Sequence, residues 1–371
     1  MPDLRFAPPP PRKPVSDPRL VRFNHFDSRL RPTGELWLDR GECIDPELTK
    51  LVMSLLDDMP SHAVFAYPTP GPFYRKLAAH LGLSADCLLL TQGSDGAIKS
   101  VFETYIEPGD RVLLTQPTYQ MYGVYGDAFG AEMHFVSYRM ENGLPAMTAD
   151  EMIVAIGKVK PKLVGLPFPD NPIGFGFSPD ELRAIIEAAG EAGALMLVDE
   201  AYYPFHPHTA LALIDEYGHL IVARTFSKAW GMAGIRLGFA AAQPEITTML
   251  HKTRPMIEAD GMALELAGRM LDHEDAVSAS IERLVDGRKM FAAAMADLGY
   301  GVIDTPCNFV HVNFGEDRGA VESALAGVAR YRVFPDSLLG DYLRFTTTTR
   351  DLFKPVIDRI AAVANKQGAA E

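Results

Sequence analysis

The sequence predicts an α/β chain: a mostly parallel central sheet flanked by helices, followed by a smaller α+β region. Three observations carry that prediction. From about Ser61 to Ala242, short apolar runs alternate with amphipathic stretches, the pattern of βαβ units. Two of those runs, Leu195-Met196-Leu197-Val198 and Leu220-Ile221-Val222-Ala223, contain no polar residue, as expected of strands covered on both faces. Beyond about Glu245 the alternation gives way to long helical stretches through residue 298, and then to two or three strands.

Met1 to Pro18 holds seven prolines and no apolar core of the kind a secretory signal has, so it reads as an extended arm, drawn here as residues 1–35. Residues 61–245 form the large, ligand-binding domain of the prediction. Residues 36–60 join 246–371 in the small one. Within the large domain Val112-Leu113-Leu114, Leu163-Val164-Gly165-Leu166 and Gly238-Phe239-Ala240-Ala241-Ala242 are further strands. Ser178-Pro179-Asp180-Glu181 is a capping box with proline at the first helical position, and Leu182, Ile185, Ile186 and Ala189 then share one helix face. In the small domain Asn308-Phe309-Val310-His311-Val312 and Tyr342-Leu343-Arg344-Phe345 are the strands.

Composition narrows the function classes. Apolar residues at 47% and charged residues at 22% are ordinary for a globular enzyme, and a net charge of −13 argues against nucleic acid or an anionic membrane surface as partner. No apolar stretch has membrane-spanning length. Cys43, Cys87 and Cys307 are scattered and odd in number, which points away from a disulfide framework or a zinc site and toward a reducing cytoplasm.

The chemistry concentrates at strand ends. Asp199 follows the Leu195 run directly, and Lys228 lies shortly after the Leu220 run, so both fall at the C-terminal rim where open α/β sheets bind ligands. Gly93-Ser94-Asp95-Gly96 opens a helix, whose free N–H groups suit an anion. Thr225, Ser227 and Arg236 add hydroxyls and a cation beside the lysine. A lysine for a Schiff base, an acid to keep a ring nitrogen protonated and a phosphate cradle are the parts that pyridoxal 5′-phosphate needs. Each part alone has a plainer reading: a solvated lysine, an acidic strand end, a turn. His206-Pro207-His208 reads as a surface loop, and no metal site is predicted. The ordered set is what points to the cofactor.

At these residues the chain resembles a known family. The run from Thr225 to Gly238, with Tyr67-Pro68, Pro117-Thr118-Tyr119 and Asp199-Glu200-Ala201-Tyr202, is similar to fold-type I pyridoxal-phosphate aminotransferases of class I/II, on the histidinol-phosphate aminotransferase branch. The resemblance runs from about Leu36 to the end of the chain. It implies that Lys228 joins the cofactor aldehyde and shuttles the Cα proton, and that Asp199 pairs with the pyridine nitrogen. Tyr202 and Asn171 would meet the phenolic oxygen, and Tyr119 would stack on the ring. Ser94, Asp95 (through its backbone), Thr225, Ser227 and Arg236 would hold the phosphate. Arg344 would clamp the substrate carboxylate, and Tyr67 would reach the phosphate of a neighbouring subunit, making a homodimer with shared sites. The implied partners are an amino donor and a 2-oxo acid acceptor.

Five departures from the branch stand out. Gly96 replaces an acid, Phe168-Pro169-Asp170-Asn171 keeps one asparagine of the usual pair, and Thr346-Thr347-Thr348-Thr349 lacks the usual glycine. The fourth is near Phe334-Pro335-Asp336, where the branch carries an arginine for the substrate phosphate. Arg332 is expected on the opposite strand face, so a phosphate there would lose a charge-assisted partner worth roughly 1.5–3 kcal/mol. Gly41-Glu42-Cys43 likewise keeps only the acid of an Asn-Glu-Asn motif. The expectation is therefore an aminotransferase that does not act on histidinol phosphate. A pyridoxal-phosphate decarboxylase, lyase or oxidase is the alternative, and a regulatory module without catalysis is the more distant rival.

Overall fold

Seven strands form the central sheet: β1 (Leu88–Thr91), β2 (Arg111–Gln116), β3 (Glu132–Ser137), β4 (Leu163–Pro167), β5 (Leu195–Asp199), β6 (Leu220–Thr225) and β7 (Gly238–Ala242). Their spatial order is β1-β7-β6-β5-β4-β2-β3. All neighbours run parallel except β7, which is antiparallel to both β1 and β6. This computed structural model describes residues 10–18, 20, 22 and 30–367.

The unbroken apolar runs follow from burial of both sheet faces. Successive strand side chains alternate sides, so Met196 and Val198 of β5 enter one core with Leu220 and Val222 of β6, while Leu197, Ile221 and Ala223 enter the other. Helix α1 (Gly93–Tyr105) and helix α2 (Gln120–Phe129) help close the second core through Ile98, Phe102 and Tyr122. Helix α3 (Pro179–Glu191) begins with the capping box read from the sequence, and the four residues of its predicted face are all buried. Helix α4 (Glu274–Asp297) then leads to an antiparallel sheet of β8 (Gly301–Asp304), β9 (Phe309–Asn313) and β10 (Tyr342–Thr346). Phe291, Phe345 and Phe353 centre its core, Phe353 coming from helix α5 (Arg350–Gln367).

Two long-range attachments position the site. The segment from Leu36 to Ile44 lies against β10: Thr346 N–H donates to Leu38 O (2.8 Å), Gly41 N–H to Thr346 Oγ1 (2.9 Å), and Thr348 Oγ1 to Ile44 O (2.7 Å). The arm, read as extended, has a 3-10 turn at Lys13–Ser16, and Arg12 stacks over Phe129 at the end of α2 with Nη2 donating to Ala128 O (3.4 Å). An arginine in a proline-rich stretch thus finds an aromatic face that the local sequence does not reveal. Among the described residues no helix is long and apolar enough to cross a membrane.

Candidate active site

A cavity of ≈ 1470 Å³ opens at the C-terminal rim of β4, β5 and β6, facing β10 of the smaller sheet. Ser94, Asp95, Tyr119, Asn171, Asp199 and Tyr202 line it, with Thr225, Ser227, Lys228, Arg236 and Arg344. Eleven of the twelve sequence-predicted site residues therefore meet in one place. Tyr67 does not. It is 85% exposed on the surface, near the exposed Val64 and Phe65.

Lys228 lies three residues past the end of β6, and its Nζ donates to Arg40 O at 3.0 Å. Burial, followed by the nearby charge of Arg344, brings its amine down to about 8, so the nucleophilic neutral form is populated near neutral pH. The backbone must come this close at Gly41. Its φ is +69°, and a β-carbon there would sit 3.1 Å from the lysine nitrogen. Asp199 ends β5 and is 4% exposed, accepting from Ala201 N–H at 3.2 Å with the Ser94 hydroxyl beside it. Burial pushes its carboxyl up to about 7, and among the described residues no cation is paired with it.

Thr225, Ser227 and Arg236 form a chain of donors. Thr225 Oγ1 donates to Ser227 Oγ (2.9 Å), as does Arg236 Nη1 (3.1 Å), and the Ser227 N–H returns to Thr225 Oγ1 (3.1 Å). Gly93 faces this chain at the start of α1 with φ +72°; a β-carbon there would lie 3.0 Å from Arg236 Nη2 and fill the cradle. The first-turn N–H groups of α1 have no intrahelical partner and converge on the same space. A dianion against this cradle, a protonated ring nitrogen against Asp199 and an aldehyde at Lys228 match the donor set. The residues fit pyridoxal phosphate.

The opposite wall comes from β10. Arg344 is 6% exposed, its guanidinium carbon 5.0 Å from the Phe309 ring centre and 5.1 Å from that of Phe334. Nη1 donates to Asn171 Oδ1 (3.0 Å) and Nη2 to Asp39 O (3.1 Å), both neutral acceptors. Tyr202 meets Phe309 edge-on at 5.4 Å. The expectation for Arg332 is overturned. Its N–H donates to Arg344 O (2.9 Å), Arg344 N–H returns to Arg332 O (2.8 Å), and Arg332 lines the same cavity with Phe334. Residues directly opposite in an antiparallel pair share a face, and positions 332 and 334 share one along the chain.

Arg31, Trp37 and Arg40 at the cavity mouth escaped the sequence reading. Arg31 lies 4.2 Å over the Trp37 ring and pairs with Asp39 (3.2 Å) and Glu42 (2.6 Å). No periodic or motif signal marks these contacts, because they depend on how the Leu36–Ile44 segment is pinned to β10.

The profile of the aminotransferase class I and II family matches residues 34–360. A histidinol-phosphate aminotransferase of Symbiobacterium thermophilum is 31% identical, the alignment covering 96% of each chain. Among solved structures, the histidinol-phosphate aminotransferase of Sinorhizobium meliloti in complex with pyridoxal-5′-phosphate superposes with a TM-score of 0.76 at 22% identity, covering 90% of this chain and 91% of that one. The N-succinyldiaminopimelate aminotransferase of Mycobacterium tuberculosis gives 0.73 at 24% identity, covering 89% and 94%.

Proposed function

Because the chain belongs to the class I and II aminotransferases, we propose that it moves an amino group between an amino acid or related amine and a 2-oxo acid, one of which bears a second anionic group. Pyridoxal 5′-phosphate is the cofactor. When bound, it supplies an electron-withdrawing ring that acidifies the substrate Cα–H. Ser94 and Asp95 N–H groups, Thr225, Ser227 and Arg236 would hold its phosphate, and Asp199 would keep the proton on its ring nitrogen, with Tyr119, Tyr202 and Asn171 lining the same cavity to hold the ring. The Lys228 amine takes the Cα proton and returns it on the other side of the transfer, a task that suits a group titrating near 8.

One observation carries the substrate assignment: Arg344 is a buried cation without a carboxylate partner among the described residues, on the same cavity as Lys228. Leaving such a charge unpaired costs several kcal/mol, a cost that an incoming carboxylate offsets. Arg332, beside it and also without a carboxylate among the described residues, supplies the second anchor. A dicarboxylic amino acid or a phosphorylated amine each fits two such cations. Tyr67, exposed beside Val64 and Phe65, belongs in this reading to the site of a second subunit.

The test is a panel of amino donors, acidic, phosphorylated and neutral, mixed with cofactor-loaded protein while its visible absorbance is followed. Bleaching by acidic or phosphorylated donors, with release of the matching oxo compound, is expected. A protein that cannot be loaded with cofactor, or that releases carbon dioxide or peroxide instead, overturns the reading.

A further inference from the structure

We propose that His311 is a positioning residue for Arg344: the Nδ1 lone pair of the imidazole takes the Nε–H of the guanidinium, directly or through one water, and so aims its two η nitrogens at the substrate carboxylate. The inference rests on the reading of Arg344 given above.

His311 on β9 and Arg344 on β10 are direct partners in the antiparallel ladder, so their side chains emerge on the same face. The imidazole is fully buried, bordered by the rings of Phe309, Phe334 and Tyr342. Its Nε2 sits 2.8 Å from Pro172 O, and a carbonyl oxygen only accepts. The proton is therefore on Nε2, and Nδ1 presents a lone pair. Burial, reinforced by the charge of Arg344, takes the imidazole down to about 3, so it stays a neutral acceptor throughout the working range of any enzyme of this type.

The guanidinium leaves a matching gap. Of its five N–H groups, one on Nη1 goes to Asn171 Oδ1 and one on Nη2 to Asp39 O. Among the described residues, buried Nε has no acceptor and buried His311 Nδ1 has no donor. Buried polar groups are paired in nearly all native structures, and here the orphan donor and orphan acceptor belong to cross-strand neighbours. Filling that pair fixes the guanidinium plane. The remaining N–H on each η nitrogen then forms a fork toward the cavity, which matches a carboxylate in two parallel bonds. An aliphatic residue at 311 would fill the same space and leave the plane free to swing between Phe309 and Phe334.

The experiment uses cofactor-loaded enzyme with succinate as a dead-end carboxylate probe, its dissociation constant read from the perturbed visible spectrum. His311→Met, which keeps volume without the acceptor, is expected to weaken succinate about tenfold and to raise KM for the 2-oxo acid by a similar factor, leaving kcat within about twofold. His311→Gln, which restores an acceptor, is expected to recover most of that loss. Unchanged succinate affinity in a folded His311→Met protein overturns the proposal, as does a loss shared equally by kcat and KM that Gln does not rescue. Arg344→Gln is the control. If it weakens succinate and His311→Met does not, only the role of His311 falls; if Arg344→Gln has no effect, the carboxylate reading of Arg344 falls with it. Nitrogen NMR of the unaltered protein covers a Met variant that does not fold: Nδ1 is expected unprotonated and hydrogen-bonded from pH 5 to 9, and a proton on Nδ1 refutes the proposal.

Discussion

Two buried arginines flank the lysine loop, and they are satisfied in opposite ways. Arg224, behind it on β6, is bonded through Nε to Glu200 Oε2 (2.9 Å), through Nη2 to the same oxygen (2.8 Å) and to Thr209 Oγ1 (2.7 Å), and stacks over Tyr203 at 3.6 Å. Glu200 is capped in turn by the Ala210 N–H (2.5 Å) and the Thr209 hydroxyl. Arg344, in front, is as deeply buried yet among the described residues meets only neutral acceptors. A buried charge whose partners are all within the chain stabilises the fold; one whose counter-ion is missing keeps a place for a ligand. The same residue type thus performs two tasks, distinguished by what lies opposite it.

The largest effect is expected where the cavity does its chemistry. Lys228→Ala should drop turnover below detection and yield protein that no longer retains the cofactor covalently, while the melting temperature of the unloaded protein stays put or rises because a buried amine is gone. Residual turnover comparable to the parent would move the proton transfer to another group.

Next, substituting the two arginines should separate function from stability. Arg344→Gln should cost roughly 10²–10³-fold in kcat/KM for carboxylate substrates, the loss expected when one partner of a desolvated charged contact is removed. Its stability without ligand should hold or improve. Glu200→Gln should do the reverse, losing about 3–5 kcal/mol of folding free energy because Arg224 is left buried without its counter-ion, with KM unmoved once cofactor is bound. Urea unfolding and steady-state kinetics on both proteins decide the matter. Equal destabilisation by the two substitutions would erase the distinction.

The cofactor rim was largely legible in the sequence, and the substrate wall hardly at all. Strands β5 and β6, the capping box at Ser178 and the run from Thr225 to Arg236 are short-range statements: alternation, a cap, neighbours within a turn. They place Asp199, Lys228 and the anion cradle on one rim. The substrate wall depends on pairing between residues far apart in the chain. The face that Arg332 presents follows from its bridge with Arg344, a pairing that local periodicity does not reveal. The carbonyl of Arg40 beside Lys228 depends on the Leu36–Ile44 segment lying along β10, and the stacking of Arg12 on Phe129 joins two distant segments. Such contacts have no period to read.

The smallest expected effect concerns acidity on the two sides. Asp170 is fully buried beside the cavity-lining Pro169 and Asn171, with no cationic partner among the described residues; the Thr115 hydroxyl donates to it, Thr118 Oγ1 does so at 3.1 Å, and Tyr138 stands beside it. Burial pushes its carboxyl up to about 7, well above the usual carboxylate range. A group that holds its proton more tightly folded than unfolded adds full stability below the unfolded value and loses it as pH rises through the folded one. Unloaded protein should therefore become easier to unfold between about pH 4 and pH 7, with Asp199 contributing in the same direction. Asp170→Asn should flatten part of that slope, while Glu200→Gln, which strands the Arg224 cation, should lower the whole curve. Urea midpoints measured across that pH range test this directly. A slope that Asp170→Asn does not change would mean that the buried carboxyl keeps its charge through the three hydroxyls around it, and that neutral donors suffice here where Arg344 is left waiting for an anion.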